Sequence, residues 1–126
     1  MKKIIHTPHA PAPIGPYSQA VLLNGILYCS GQIAIDPLTS RLITGAIENE
    51  THQVMKNIKA LLTAAGMDFS HIIKSSIFIS DMNNFAKINE VYGSYFSKDF
   101  PARETVQVSR LPKDVNIEIS VIASNL

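Results

Sequence analysis

The chain has no tryptophan, a single cysteine among its 126 residues and almost no excess charge of either sign. The lone thiol, Cys29, leaves no disulfide to close within the chain, which suits a reducing compartment. With no histidine at a partner spacing, it reads as a small core residue rather than a nucleophile. Eleven Lys and Arg oppose ten Asp and Glu, a formal net charge of +1, and the cations are scattered. Nucleic-acid binders gather basic side chains on one face, so this balance counts against a nucleic-acid partner. No apolar run approaches the roughly 20 residues that span a bilayer, so no membrane association is expected. His9, Pro11 and Pro13 interrupt the N-terminal stretch at once, so it does not read as a signal peptide. Cytoplasm is the expected location. His6, His9, His52 and His71 are dispersed, no two at zinc-ligand spacing, and no metal is expected. GxGxxG, Walker-type and Gly-x-Ser-x-Gly signatures are absent.

What is present suits a folded domain. Hydrophobic residues are 46% and charged residues 17%, which argues against disorder. The length suits one domain over residues 1–126, large enough to hide roughly two-thirds of its unfolded surface.

Residues 7–16 hold four of the seven prolines and must run as extended loop, with a turn at Gly15. Residues 20–23 and 26–32 read as strands around Asn24-Gly25, a strong hairpin signal because both residues tolerate positive φ. Residues 36–45 read as loop. A helix is predicted over about 50–65 from the one-face spacing of Val54, Met55, Ile58, Leu61, Leu62 and Ala65, capped by Asn49 or Thr51 and stopped by Gly66. Residues 71–80 form a buried strand. Asp81 or Asn83 caps a second helix with an apolar face of Phe85, Ile88, Val91, Tyr92, Tyr95 and Phe96. Strands over 103–109 and 116–123 follow, joined by a turn at Pro112. The order β, ββ, α, β, α, ββ gives an α+β fold, a mixed sheet with both helices on one face. Ile117, Ile119 and Val121 point to the helices. The opposite, half-polar face suits an oligomer surface.

Arg103 starts a strand behind the stiff Phe100-Pro101-Ala102 run. Its planar fork matches a carboxylate, although spacing alone favours an ordinary surface arginine. Glu118 stands inside an apolar strand, where a carboxylate needs a partner or a task. It could orient water as a general base beside an arginine, or form an interface salt bridge, and both readings stand. Ser30-Gly31-Gln32 offers backbone N–H groups to an oxyanion, or is simply a β-bulge. Tyr17 could lend a phenol to a pocket or merely pack.

Four blocks taken together carry more. Ile14-Gly15-Pro16-Tyr17-Ser18-Gln19, Cys29-Ser30-Gly31-Gln32, Phe100-Pro101-Ala102-Arg103 and Arg110-Leu111-Pro112-Lys113-Asp114-Val115, the last followed by Ile117-Glu118-Ile119, resemble the RidA (YjgF) family. The resemblance spans essentially the whole chain. It implies a chorismate-mutase-like fold with a six-stranded sheet, a homotrimer, and ligand sites between subunits. It also implies hydrolytic deamination of 2-aminoacrylate, 2-iminobutanoate and related enamines or imines, made by PLP-dependent dehydratases, to 2-keto acids and ammonia without a cofactor. By position, Arg103 then binds the substrate carboxylate and Glu118 positions the water. Ser30, Gly31 and Tyr17 contribute to the pocket, with Tyr17 reaching a neighbouring subunit's site, and Phe85 and Asn89 form its wall. Many members have cysteine where this chain has Thr105, so a thiol mechanism is excluded here, and Thr105 offers a hydroxyl on Arg103's side of the strand. Glu104 replaces a usual small residue, and strand alternation turns it away from Arg103. Two rival functions are a non-catalytic 2-keto-acid-binding regulator and an RNA-cleaving translation inhibitor, the second disfavoured by the near-neutral charge.

Overall fold

In a computed structural model covering residues 1–126, the chain runs β1 (Lys3–Ile5), β2 (Ala20–Leu23), β3 (Ile26–Cys29), β4 (Ile35–Asp36), β5 (Arg41–Leu42), α1 (Ile47–Ala64), β6 (Ile72–Ile79), α2 (Phe85–Gly93), β7 (Ala102–Gln107) and β8 (Ile117–Ser124). Six strands form one mixed sheet in the order β1-β2-β3-β8-β6-β7. Every pairing is antiparallel except β6 with β7, which α2 connects as a crossover helix. The Asn24-Gly25 turn behaves as its sequence dictates, with φ of 51° and 77°.

Both helices cover one face. Val54, Met55, Ile58, Leu61 and Leu62 of α1 and Ile88 and Tyr92 of α2 share a core with Leu27, Ile77, Ile79, Ile117, Ile119 and Val121 of the sheet. β8 alternates strictly, with Ile117, Ile119, Val121 and Ala123 buried and Glu118, Ser120, Ile122 and Ser124 half-buried on the other side. That other face leaves Ile4, Tyr28 and Val106 exposed. A smaller apolar cluster, Ile33, Ile35, Leu111 and Val115 with Phe78 against it, anchors the loop before β8.

Several boundaries differ from the sequence reading. Helix α1 begins at Ile47, behind Ala46, which makes no side-chain cap. Asn49 and Thr51 lie inside the helix, and Thr51 Oγ1 donates back to Ile47 O at 2.8 Å. Glu48 and Glu50 in the first turn favour the helix start instead, through the dipole. Asp81 caps a single 3-10 turn, Met82–Asn84, from which α2 continues. Tyr95 and Phe96 lie beyond α2 yet still pack on the core. Overlapping the expected loop 36–45, a two-strand hairpin of β4 with β5 starts at Ile35 and includes Ser40 at φ 60°. Strand β3 ends at Cys29 rather than Gln32. Tyr28 pairs with Ile122 and Gln32 with Ile119, four steps on one strand against three on the other. The extra residue bulges the sheet at Ser30-Gly31.

Candidate functional site

Strand register decides which side chains can meet. Across β7, β6 and β8, Arg103 stands in a row with Ser75 and Val121, and Thr105 with Ile77 and Ile119. These rows face the helices. The alternate rows, Glu104 with Ser76 and Ser120, and Val106 with Phe78 and Glu118, face the other way. Within one chain, therefore, Arg103 and Glu118 lie on opposite sides of the sheet.

On the helix side, α2 presents Phe85, Asn89 and Tyr92 at the spacing of one helical face. The Arg103 guanidinium carbon lies 5.7 Å from the Phe85 ring centroid and 5.2 Å from that of Tyr92, within cation–π range. Arg103 Nη1 donates to Asn89 Oδ1 at 2.5 Å. Tyr92 is fixed in turn, its hydroxyl donating to Ser75 Oγ at 2.8 Å, and burial raises its phenol pKa. No carboxylate of the chain pairs with Arg103, and its Nε and Nη2 make no hydrogen bond. The open edge of the guanidinium borders a cleft of about 330 Å³ lined by Asn89, Tyr92, Gly93, Phe100, Pro101 and Arg103. The arrangement suits a planar anion such as a carboxylate. Thr105 Oγ1, on the same face, is buried without a partner.

Glu104 stays out of this cleft. On the outer face it pairs with Lys74 Nζ at 2.7 Å and accepts from Ser76 Oγ, and both contacts, Lys74's first, lower its pKa.

The second set gathers around Glu118. A Cβ built on Gly31 would lie 2.7 Å from Glu118 Cδ, so only glycine lets the carboxyl come this close to the bulge. Ser30 N–H is used within the chain, donating to Gln19 O at 2.9 Å, while Gly31 N–H makes no hydrogen bond. A single free backbone donor, rather than an adjacent pair, thus borders the carboxyl. Ser30 Oγ donates to Ser18 O at 2.6 Å, and Tyr17 Oη accepts from Ile14 N at 3.3 Å. A cleft of about 310 Å³ is lined by Ile14, Tyr17, Ser30, Gly31, Ile33, Pro112 and Glu118. Pro112 reaches it from a turn with two consecutive left-handed residues, Lys113 and Asp114, both at φ 56°. Arg110 holds that turn through paired bonds of 2.5 and 3.1 Å to Asp114.

Glu118 has no cationic neighbour in its own chain. The arginine considered as its partner from sequence lies across the sheet. Burial raises the Glu118 pKa, which makes the ionised carboxylate a better proton acceptor than an exposed one.

The structure thus joins Arg103, Asn89 and Phe85 in one cluster and Tyr17, Ser30, Gly31 and Glu118 in another. Sequence reasoning had assigned Tyr92 only to the helix core. Its place in the stripe from Phe85 through Asn89 was the signal that it also faces Arg103. Gly93, the last residue of α2, stands four residues after Asn89 and continues the same stripe, whereas Phe100, Ile14, Ile33 and Pro112 are brought in by loops.

No group of three or more His, Cys, Asp and Glu is placed to hold a metal ion, and no helix is long and apolar enough to cross a membrane.

The family model described as Endoribonuclease L-PSP matches residues 7–125. A RutC family protein of Pyrococcus horikoshii is 54% identical, covering 98% of each chain. A bovine protein named 2-iminobutanoate/2-iminopropanoate deaminase is 46% identical over 98% of this chain and 90% of its own. Among solved structures, Escherichia coli TdcF with bound serine superposes with a TM-score of 0.94 at 43% identity, covering 98% of this chain and 99% of that one.

Proposed function

The chain belongs to the Endoribonuclease L-PSP family, that of RidA and YjgF, and from this premise we propose that it hydrolyses reactive 2-imino acids to 2-keto acids and ammonia. The observation that carries the reading is the Arg103 guanidinium without a carboxylate partner, within cation–π reach of the Phe85 and Tyr92 rings and tied to Asn89, with Nε and Nη2 left free. Such a group holds a carboxylate in one orientation and so fixes the adjacent imine carbon.

The substrates on this reading are 2-aminoacrylate and 2-iminobutanoate, released by PLP-dependent dehydratases in the cytoplasm. The enamine tautomerises to the imine and water adds to the imine carbon. Glu118 takes the proton that water loses and returns it to the nitrogen, giving a carbinolamine; the carbinolamine hydroxyl proton then passes to the nitrogen as the C=O bond forms and the C–N bond breaks, releasing ammonia and the 2-keto acid. Gly31 N–H and the Tyr17 phenol border the same position. No protein-bound cofactor is required.

Arg103 and Glu118 serve one substrate only if the clusters come from different chains. We therefore assign the site to the interface of a homotrimer of one-domain subunits, with Arg103 of one subunit opposite Glu118, Tyr17, Ser30 and Gly31 of the next. The exposed Ile4, Tyr28 and Val106 on the outer sheet face support an assembly that covers them.

The test supplies a PLP dehydratase with serine or threonine and traps surviving imine as semicarbazone. Wild type is expected to lower the trapped fraction and Arg103→Ala to leave it unchanged. Equal trapping with wild type, Arg103→Ala and no protein rejects the enzymatic reading.

A further inference from the structure

The stretch between Ile5 and Ser18 contains Pro8, Pro11, Pro13 and Pro16, which have no N–H to offer a sheet. Its hydrogen bonds to the rest of the chain converge on one side chain. Gln19 Oε1 accepts from Thr7 N at 2.8 Å. Gln19 Nε2 donates to the carbonyls of Thr7 at 3.0 Å, Ala10 at 3.2 Å and Pro11 at 2.9 Å. The other bonds made by this stretch are internal: His9 N to Thr7 Oγ1, Ile14 N to Tyr17 Oη, and Tyr17 N to Gly15 O.

The Gln19 backbone faces the other way. Its carbonyl accepts from Ser30 N at 2.9 Å, while the neighbouring Ser18 carbonyl accepts from Ser30 Oγ at 2.6 Å. Gln19 thus sits between two walls of the Glu118 cleft: the proline-rich wall that supplies Ile14 and Tyr17, and the bulge that supplies Ser30 and Gly31. It is 2% exposed, so water cannot take over the bonds it makes. The chemistry also requires an amide, because one side chain must accept from an N–H and donate to carbonyls. Leucine offers neither function, and glutamate would turn a carboxylate oxygen toward three carbonyls.

We infer that Gln19 is a positioning residue, whose buried amide sets the proline-rich wall and Tyr17 against the Ser30-Gly31 bulge and so shapes the Glu118 half of the site. This rests on the deaminase reading above.

The experiment compares wild type, Gln19→Ala and Gln19→Glu as assembled proteins. It measures kcat and KM for imine hydrolysis and amide hydrogen exchange along the chain. A shift of about 1 Å in a positioned group costs up to about 100-fold, so kcat is expected to fall about 10- to 100-fold in both variants. KM is expected to stay within about threefold, because Gln19 makes no bond to the Arg103 cluster that holds the carboxylate. Exchange should quicken at residues 7–17 while β2 and β3 stay protected. A kcat within about twofold of wild type, despite a loosened segment, overturns the role. So does a loss of kcat that appears only where β2 and β3 have also lost protection. If Gln19→Ala does not fold, Gln19→Glu, which keeps the length and the acceptor, is judged by the same criteria. An inactive wild type rejects the deaminase reading and this one with it. An active wild type beside a fully active Gln19→Ala rejects the positioning role alone.

Discussion

Replacing Arg103 by lysine keeps a positive charge on β7 and removes the planar fork. In the structure Nη1 is committed to Asn89 Oδ1, while Nε and Nη2 are free for a carboxylate. A lysine ammonium cannot make two parallel bonds from one plane, and it gives up the stacking on Phe85 and Tyr92. Losing one charge-assisted bond costs about 2 kcal/mol, which is about 30-fold in kcat/KM. Arg103→Ala loses the charge as well, about 4 kcal/mol or roughly 1,000-fold. Folding stability should change by less than about 1 kcal/mol, because Asn89 Oδ1 stays within reach of water in the open cleft. The assay is initial-rate imine hydrolysis with semicarbazide trapping, beside calorimetric titration with 2-oxobutanoate and thermal unfolding. Lysine within about threefold of wild type in kcat/KM would show that the fork is not used, and the reasoning built on it fails.

Four further outcomes follow. Gly31→Ala drives a methyl group into the Glu118 carboxyl, so it should displace Glu118, cost about 1–3 kcal/mol of stability by overpacking and lower kcat by at least about 10-fold; normal turnover and stability would contradict the close approach. Glu118→Gln should abolish turnover yet still bind 2-oxobutanoate, whereas a purely regulatory binder shows no turnover in wild type either. Burial raises the folded-state Glu118 pKa, so this group favours folding when protonated and loses that contribution as pH rises from the unfolded value through the folded one; urea titrations of Glu118→Gln should lack this fall, and wild-type kcat should decline as pH drops through the raised value. Arg103→Ala and Glu118→Gln, inactive separately, should regain about a quarter of wild-type activity when refolded together in equal amounts, since a quarter of randomly assembled interfaces pair an intact Arg103 with an intact Glu118; no recovery in verified mixed trimers would place both residues' work within one chain.

Much of the fold was readable because its signals are local. The Asn24-Gly25 turn, the one-face spacing of Val54 through Leu62, and the strict alternation of β8 each express a short-range rule, and the structure follows them. The misses have physical causes too. Strands β4 and β5 are two residues each, too short for a period to register. The start of α1 depends on Glu48 and Glu50 lying near its dipole, not on a capping side chain. At Ser30-Gly31 the sequence left a bulge and a ligand-approach turn as alternatives, but the extra residue that makes the bulge also leaves Gly31 N–H free.

The relation between Arg103 and Glu118 belongs to a different level. Alternation within β7 already put Arg103 and Thr105 together and turned Glu104 away. Alternation within β8 already put Glu118 opposite Ile117 and Ile119. Neither strand alone says which face of one continues which face of the other. That depends on the parallel register of β6 with β7, which sets Ile77 beside Thr105, and the antiparallel register of β6 with β8, which sets Ile77 beside Ile119. A shift of one residue in either register would bring the Arg103 and Glu118 rows onto the same face. With the registers as they stand, the free guanidinium and the half-buried carboxyl are separated by the sheet itself. Side-chain motion cannot carry either through a hydrogen-bonded layer, so chemistry that uses both must take them from two copies of the chain.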